Sequence, residues 1–198
     1  MSMAKAEKRK EICDIATKLF VEKGFEKTTT RDIARASGIN SSSLYYYFED
    51  KEAILYEILI EIMNDSLEQM QEIERSDVSL KEKIYTIIKL HTEIYGIDPI
   101  RMELIVHNQK SVSPEHWEEI KGKQKEYAKI VSRILSKMRD REEIADLDPT
   151  VCTFALFGMI QWSYRWYDPN GEIKPHQLTD MFARIFTKGV YSNLHDHD

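Results

Sequence analysis

Along most of this 198-residue chain, apolar positions recur at three- and four-residue steps, the spacing of helices with one buried face. Ile12, Ile15, Ala16, Leu19 and Phe20 form such a stripe and predict a helix over residues 4–23, closed by Gly24 with Phe25 behind it. Thr29 followed by Asp32 reads as a capping box opening a short helix, which Gly38 stops. A second short helix follows from about Ser41 to Phe48. Asp50 then caps a long helix carrying Leu55, Ile58, Leu59, Ile62, Met63, Leu67, Met70 and Ile73. "SLKE" at 79–82 opens the next, with Leu80, Ile84, Ile87, Ile88 and Ile94 inward. A capping residue precedes proline at 98–99, 113–114 and 148–149, each a helix start. The helix from 114 to about 139 places Trp117, Ile120, Tyr127, Val131, Ile134 and Met138 on one side. Two further helices are expected over about 149–167 and 175–193, the second with Leu178, Met181, Phe182, Ile185, Phe186 and Val190 on one side. Strand-like alternation is absent, so the fold class is all-α, with about nine helices.

Within this pattern, residues 30–48 are a helix, a tight turn at Ser37-Gly38-Ile39-Asn40 and a second helix. That is the helix-turn-helix arrangement, whose second helix enters the DNA major groove. Ile33, Ile39, Leu44 and Phe48 can seal a small core with Leu19 and Phe20, and Ala34 lets the two helices approach. The second helix carries three consecutive tyrosines, which cannot share one face because neighbours are about 100° apart. With Leu44 and Phe48 inward, Tyr45 and Tyr46 point outward and Tyr47 returns to the flank. Outward tyrosines on such a helix can bond phosphate and pack on sugars and thymine methyls. Ser41, Ser42 and Ser43 are short enough to bring the backbone close to base edges, and Lys51 opens the following helix beside its N-terminal dipole.

Charge changes the picture little. The net charge is −6, yet residues 1–47 hold nine Lys and Arg against six Asp and Glu, a net of +3 that leaves −9 for the remainder. A basic head on an acidic body suits one end that meets phosphate. Hydrophobic residues at 42% supply a core, while 7 Gly and 5 Pro suit long helices. Cys13 and Cys152 belong to no CxxC or metal-ligand spacing, which fits a reduced, cytoplasmic protein. No apolar run approaches the length of a membrane span, glutamates interrupting even "AILYEILIEIM", so no membrane partner is expected. Neither a nucleophile–base pair nor a phosphate-cradling loop or metal set is visible, so a small helical enzyme is the weaker reading and no cofactor is implied. His91 and His107 read as hydrogen-bonded interior or boundary residues rather than ligands, and His195 and His197 as part of a frayed polar tail.

The run "FVEKGFEKTTTRDIARASGINSSSLYYYFEDKEAIL" resembles the DNA-binding domain of the TetR (tetracycline-repressor) family, over roughly residues 8–60. The resemblance rests on the Gly24-Phe25 helix end, the "TTTRDIA" start, the Gly38 turn and "LYYYFEDKEAIL". It implies a dimeric all-helical repressor that binds a palindromic DNA operator and is released by a small molecule held in its second domain. Residues 1–48 would read DNA and residues 49–198 would bind ligand and dimerise. The family's DNA contacts fall on Thr30, Arg31, Ser42, Ser43, Tyr45, Tyr46, Tyr47 and Lys51.

The helices at about 149–167 and 175–193 are the expected homodimer seam. Val151, Phe154, Ala155, Phe157, Met159, Ile160, Trp162 and Trp166 surround the first, and a helix apolar on all sides is normally buried. Gly158 leaves it a flat spot for close approach. Between the two helices, "QWSYRWYDPNGEIKPHQL" is similar to the segment of a subgroup sensing acyl-coenzyme A thioesters, including fatty-acid-degradation regulators. Such a ligand needs an apolar tunnel and a cationic rim. Arg101 and Arg165 are the candidate cations, with Met102, Leu104, Trp162 and Trp166 as walls. The alternatives are a hydrophobic drug-like effector, as for a regulator of multidrug efflux, and plain packing of these aromatics in the core or dimer seam.

Overall fold

A computed structural model describes residues 3–97, 104, 108 and 111–188. The described residues form eight α-helices and no strand: α1 (Met3–Lys23), α2 (Thr30–Ala36), α3 (Ser41–Tyr47), α4 (Lys51–Arg75), α5 (Leu80–Ile97), α6 (Pro114–Asp140), α7 (Pro149–Gln161) and α8 (Pro175–Lys188). The helix expected after Pro99 falls outside the described residues, as do Arg101, Met102, His107, Val190, His195 and His197. Two compact units result, one from Met1–Leu67 with Ile100–Gln124 and the other from Glu68–Pro99 with Lys125–Asp198.

In the first unit, the helix ends are built by local hydrogen bonds. Gly24, at φ +82°, turns the chain out of α1. The buried Thr28 hydroxyl then donates to the Gly24 carbonyl at 2.9 Å. Thr29 and Asp32 form the capping box at α2, each side chain accepting from the other's backbone N–H. The Thr29 hydroxyl and N–H hold the Asp32 carboxyl below the usual carboxylate range. At the far end of α2, Gly38 takes φ +65°. Ile39 N–H reaches back to Ala34 O and Gly38 N–H to Arg35 O. This paired closure is the Schellman turn, and it makes the sharp bend between α2 and α3. Asn40 caps α3, its side-chain oxygen accepting from Ser43 N–H at 2.7 Å.

These short helices are held by one core: Ile12, Ala16 and Phe20 of α1, Ile33 and Ala34 of α2, Leu44, Phe48, and Ile54, Leu55 and Ile58 of α4. Cys13 joins it, whereas the expected Ile15 and Leu19 are only half-buried. Burial raises the Cys13 thiol to about 12, which keeps it protonated and unreactive. The first turn of α4 is also fastened to the start of α6. Glu52 accepts from Ser113 N–H at 2.9 Å and lies 2.8 Å from His116 Nδ1. The Tyr56 ring stacks on the His116 imidazole with centroids 3.7 Å apart.

The second unit buries Leu80, Ile84, Ile87 and Ile88 of α5 with Ile130, Val131, Ile134 and Leu135 of α6, Leu156, Phe157 and Ile160 of α7, and Leu178 and Phe182 of α8. Two expectations need correction here. The helix expected over 149–167 ends at Gln161 and continues as a 3-10 turn over Trp162–Arg165. Ser163 is the cause nearest at hand: its hydroxyl donates to Ile160 O at 2.6 Å, a local bond that competes with regular helix. Nor is α7 buried on all sides. Thr153, Leu156, Phe157 and Ile160 face inward, while Val151 and Phe154 are open to solvent on the single chain.

Leu44 is the one wholly buried residue of the seven in α3. Replacing it by Ala is expected to cost about 2–5 kcal/mol of stability in urea melts, as for other filled core sites. Tyr45→Ala, on the outer face of the same helix, is expected to change stability by no more than about 0.5 kcal/mol.

Candidate nucleic-acid interface

The candidate interface is the outer face of α3 with the first turn of α2. Leu44 is 1% exposed, and its next two neighbours, Tyr45 and Tyr46, are 55% and 66% exposed. Tyr45 carries its hydroxyl to within 3.3 Å of the Thr30 hydroxyl, so the start of α2 and the middle of α3 present one polar edge. Arg31 and Ser42 are exposed on it, and Thr30 and Ser43 are half-buried. Tyr47 packs against the core, as its flank position requires, with the Tyr46 ring edge-on to it at 5.1 Å. The Lys51 ammonium donates to Phe25 O at 2.6 Å and sits 4.1 Å from the Phe25 ring centre. In the DNA-free protein it ties the turn after α1 to the start of α4.

Other cations of the head are likewise engaged inside the molecule. Arg35 pairs with Asp32, Lys10 with Glu61, and Arg9 with Glu57. Two contributors went unmarked in the sequence. Asn40, a good capping residue directly before the serines, carried a readable signal. Arg9 carried none, because its partners lie 38 and 48 residues away.

Of the six candidate ligand residues, the four described belong to two different compact units. Leu104 is buried in the core of the first unit. Trp162, Arg165 and Trp166 lie together on the 3-10 turn and its end in the second unit, with the two indoles 60% and 53% exposed. The Arg165 guanidinium stands 4.6 Å from the Trp162 ring centre. A shallow groove of about 310 Å³ runs between α5 and α8, lined by Ile84, Tyr85, Ile88, Ala183, Lys81 and Arg184, and includes none of the four described candidates.

The interior of the second unit does hold polar groups. His91 Nδ1 lies 2.6 Å from Ile87 O, so that nitrogen carries the proton, and Nε2 accepts from the Tyr127 hydroxyl at 2.8 Å. Phe157 lies beside both rings. Burial pushes the His91 pKa below the ordinary imidazole value, against a smaller opposing pull from the Ile87 carbonyl. Thr92 and Thr179 join α5 to α8 through a buried hydroxyl pair at 2.6 Å.

Comparison with known proteins decides the family. Residues 12–58 match the family described as "Bacterial regulatory proteins, tetR family", and residues 77–190, more than half of the chain, match "Tetracyclin repressor-like, C-terminal domain". The chain belongs to the TetR family. The HTH-type transcriptional repressor KstR2 of Rhodococcus jostii is 27% identical over 192 residues, covering 95% of this chain and 93% of that protein. The fatty acid metabolism regulator protein of Bacillus subtilis is 27% identical over 190 residues, covering 95% and 98%. Among solved structures, AibR in complex with isovaleryl coenzyme A and operator DNA superposes with a TM-score of 0.82, at 23% identity, covering 90% of this chain and 97% of AibR. That likeness speaks for the fold. This TetR-family protein is therefore an all-helical DNA-binding transcriptional regulator and not an enzyme.

The buried His91 generates a prediction. Its folded-state pKa is depressed, so the unfolded chain binds the extra proton first. Stability is full above the ordinary imidazole value near 6.5 and falls as pH drops below it, until the folded-state value is passed. Urea midpoints at pH 7.5 and 5.5 for the wild type and His91→Gln will read this. The wild type should lose up to about 1.4 kcal/mol per pH unit relative to the variant.

Proposed function

We propose that this regulator is a repressor that binds a palindromic operator as a homodimer and releases it when a long-chain acyl-coenzyme A is bound. The outward pair Tyr45 and Tyr46, forced onto the surface by the burial of Leu44, carries the DNA half of this reading. Functionally the chain divides into a reading head, residues 1–48, and an effector and dimer body, residues 49–198. Thr30, Arg31, Ser42, Ser43, Tyr45, Tyr46 and Tyr47 meet the operator, and Lys51 exchanges its carbonyl partner for a phosphate. The homodimer forms through α7 and α8, whose exposed Val151, Phe154, Met181 and Ile185 offer apolar surface to a second copy. As a DNA-binding protein with no helix long and apolar enough to cross a membrane among the described residues, it works in the cytoplasm.

The effector assignment rests on the cation–aromatic cluster of Arg165, Trp162 and Trp166. It is supported by one relative named for fatty acid metabolism and by a coenzyme A thioester complex of the same fold. Arg101 is assigned as a second cation and Met102 as a wall. Leu104, packed in the core of the first unit, would contribute to a wall only from there. Release follows if the effector binds the DNA-incompetent dimer more tightly than the DNA-bound one. The continuous α4, which begins four residues after α3 ends and runs to Arg75, is the mechanical link.

Fluorescence anisotropy on DNA from upstream of the protein's own gene tests both halves. Tyr45→Ala with Tyr46→Ala is expected to weaken operator binding by about 1–3 kcal/mol per residue with thermal melting unchanged. Long-chain acyl-coenzyme A is expected to release the wild type, while the matching fatty acid and coenzyme A do not. Arg165→Ala should resist that release and remain dimeric. Release by none of the three compounds would return the aromatic segment to dimer packing and overturn the effector assignment.

A further inference from the structure

The recognition helix α3 has seven residues and buries only Leu44 completely. Burial of Leu44, with Phe48 just beyond the helix end, sets the roll of α3 but leaves its tilt weakly constrained. Base readout requires both to be set, because a bidentate or methyl contact is lost when a side chain swings by an ångström. At the start of α3 the Asn40 cap supplies a constraint. At its end, the constraint comes from α1.

Lys5, Lys8 and Arg9 lie on one face of α1, at three- and four-residue steps, and reach the ends of both reading helices. The Lys5 ammonium stands 4.2 Å from the Tyr46 ring centre. Lys8 donates to Ser37 O, at the end of α2, at 3.2 Å. Arg9 goes furthest. Its Nη1 donates to Tyr47 O, the last residue of α3, and its Nε and Nη2 form a fork on the Glu57 carboxylate of α4, with Nε to Oε1 at 3.0 Å. The guanidinium carbon also lies 4.2 Å from the Phe48 ring centre. A carbonyl at a helix end lacks an intrahelical partner and carries the negative end of the dipole, so a cation there is doubly suited. The planar fork fixes direction as well as distance, which a lysine could not.

We propose that Arg9 is a positioning residue for operator recognition: it sets the tilt of α3 by joining its final carbonyl to Glu57, without touching DNA. The proposal rests on the reading of α3 as the helix that enters the groove. Its side chain is only 23% exposed, and its donors face Tyr47 and Glu57. Cations at the end of the reading helix thus serve sequence discrimination, a different task from phosphate neutralisation. The two tasks leave different marks on salt dependence.

The test uses the full-length protein with Arg9→Gln, Glu57→Gln and the double variant. Affinities for operator and for unrelated duplex DNA are measured between about 50 and 200 mM salt, below the melting temperature of each variant. The expected result is about a tenfold loss on operator and no loss on unrelated DNA, with the salt slope unchanged. The double variant should lose no more than either single one, since both cut the same link. A salt slope smaller by about one in Arg9→Gln alone would make Arg9 a phosphate contact and overturn the proposal. An unchanged ratio of operator to unrelated affinity, whatever happens to the melting temperature, would reduce it to a stabilising contact. Should Arg9→Gln fail to fold, the ratio for Glu57→Gln decides alone, and an unchanged ratio there also overturns the proposal. Loss of the tyrosine effect described above would instead strike at α3 as the reading helix, which keeps the two failures apart.

Discussion

The burial of Leu44 and Phe48 is the constraint on which the DNA-reading head depends. Leu44 within the short helix and Phe48 at its C-cap, four residues on, both turn inward and consign Tyr45 and Tyr46 to the opposite face. A seven-residue helix has no stability of its own in water. It exists because Ile33, Ala34, Phe20 and the α4 side chains close over those two residues, because Asn40 caps its start and because Arg9 holds its end. Rotation of α3 by one residue would bury a tyrosine and expose a leucine. The reading surface is therefore a by-product of the core.

A second consequence concerns charge. The head carries an excess of basic residues, which invites a reading of diffuse attraction to phosphate. Much of that excess is committed internally, to Glu57, Glu61, Asp32 and the carbonyls at helix ends. The basic stripe of α1 thus works as a bracket for α2 and α3. In the proposed reading, DNA contact falls mainly to hydroxyl groups, aromatic rings and Arg31, in keeping with a protein whose net charge is −6.

Much of this was legible in the sequence because it is local. Capping boxes, a positive-φ glycine and a three–four apolar spacing act within a few residues, and they placed α1 to α4 and the outward tyrosines correctly. The aromatic segment was harder. Apolar residues on all sides of α7 pointed to burial, but the periodicity could not say that Val151 and Phe154 lie open on a single chain, nor that Ser163 would turn the helix end into a tighter coil. Arg9 and Glu57 were invisible for a simpler reason: an ion pair across 48 residues has no local signature. The candidate effector residues suffered similarly. Leu104 and the Trp162–Trp166 cluster share an apolar character, yet they belong to separate compact units. The buried His91 and the half-buried Tyr127 join only through the packing of α5 against α6 and α7.

The central claim is that the tyrosines turned outward by the Leu44 anchor are the surface that meets the operator. Hydroxyl-radical footprinting with residue-resolved mass spectrometry, on the free protein and on the operator complex, tests it most directly. Tyr45 and Tyr46 are expected to be oxidised readily in the free protein and protected by operator, while Tyr85 of α5, 41% exposed, reacts equally in both states. Tyr45 and Tyr46 reacting as fast on the operator as off it would contradict the account.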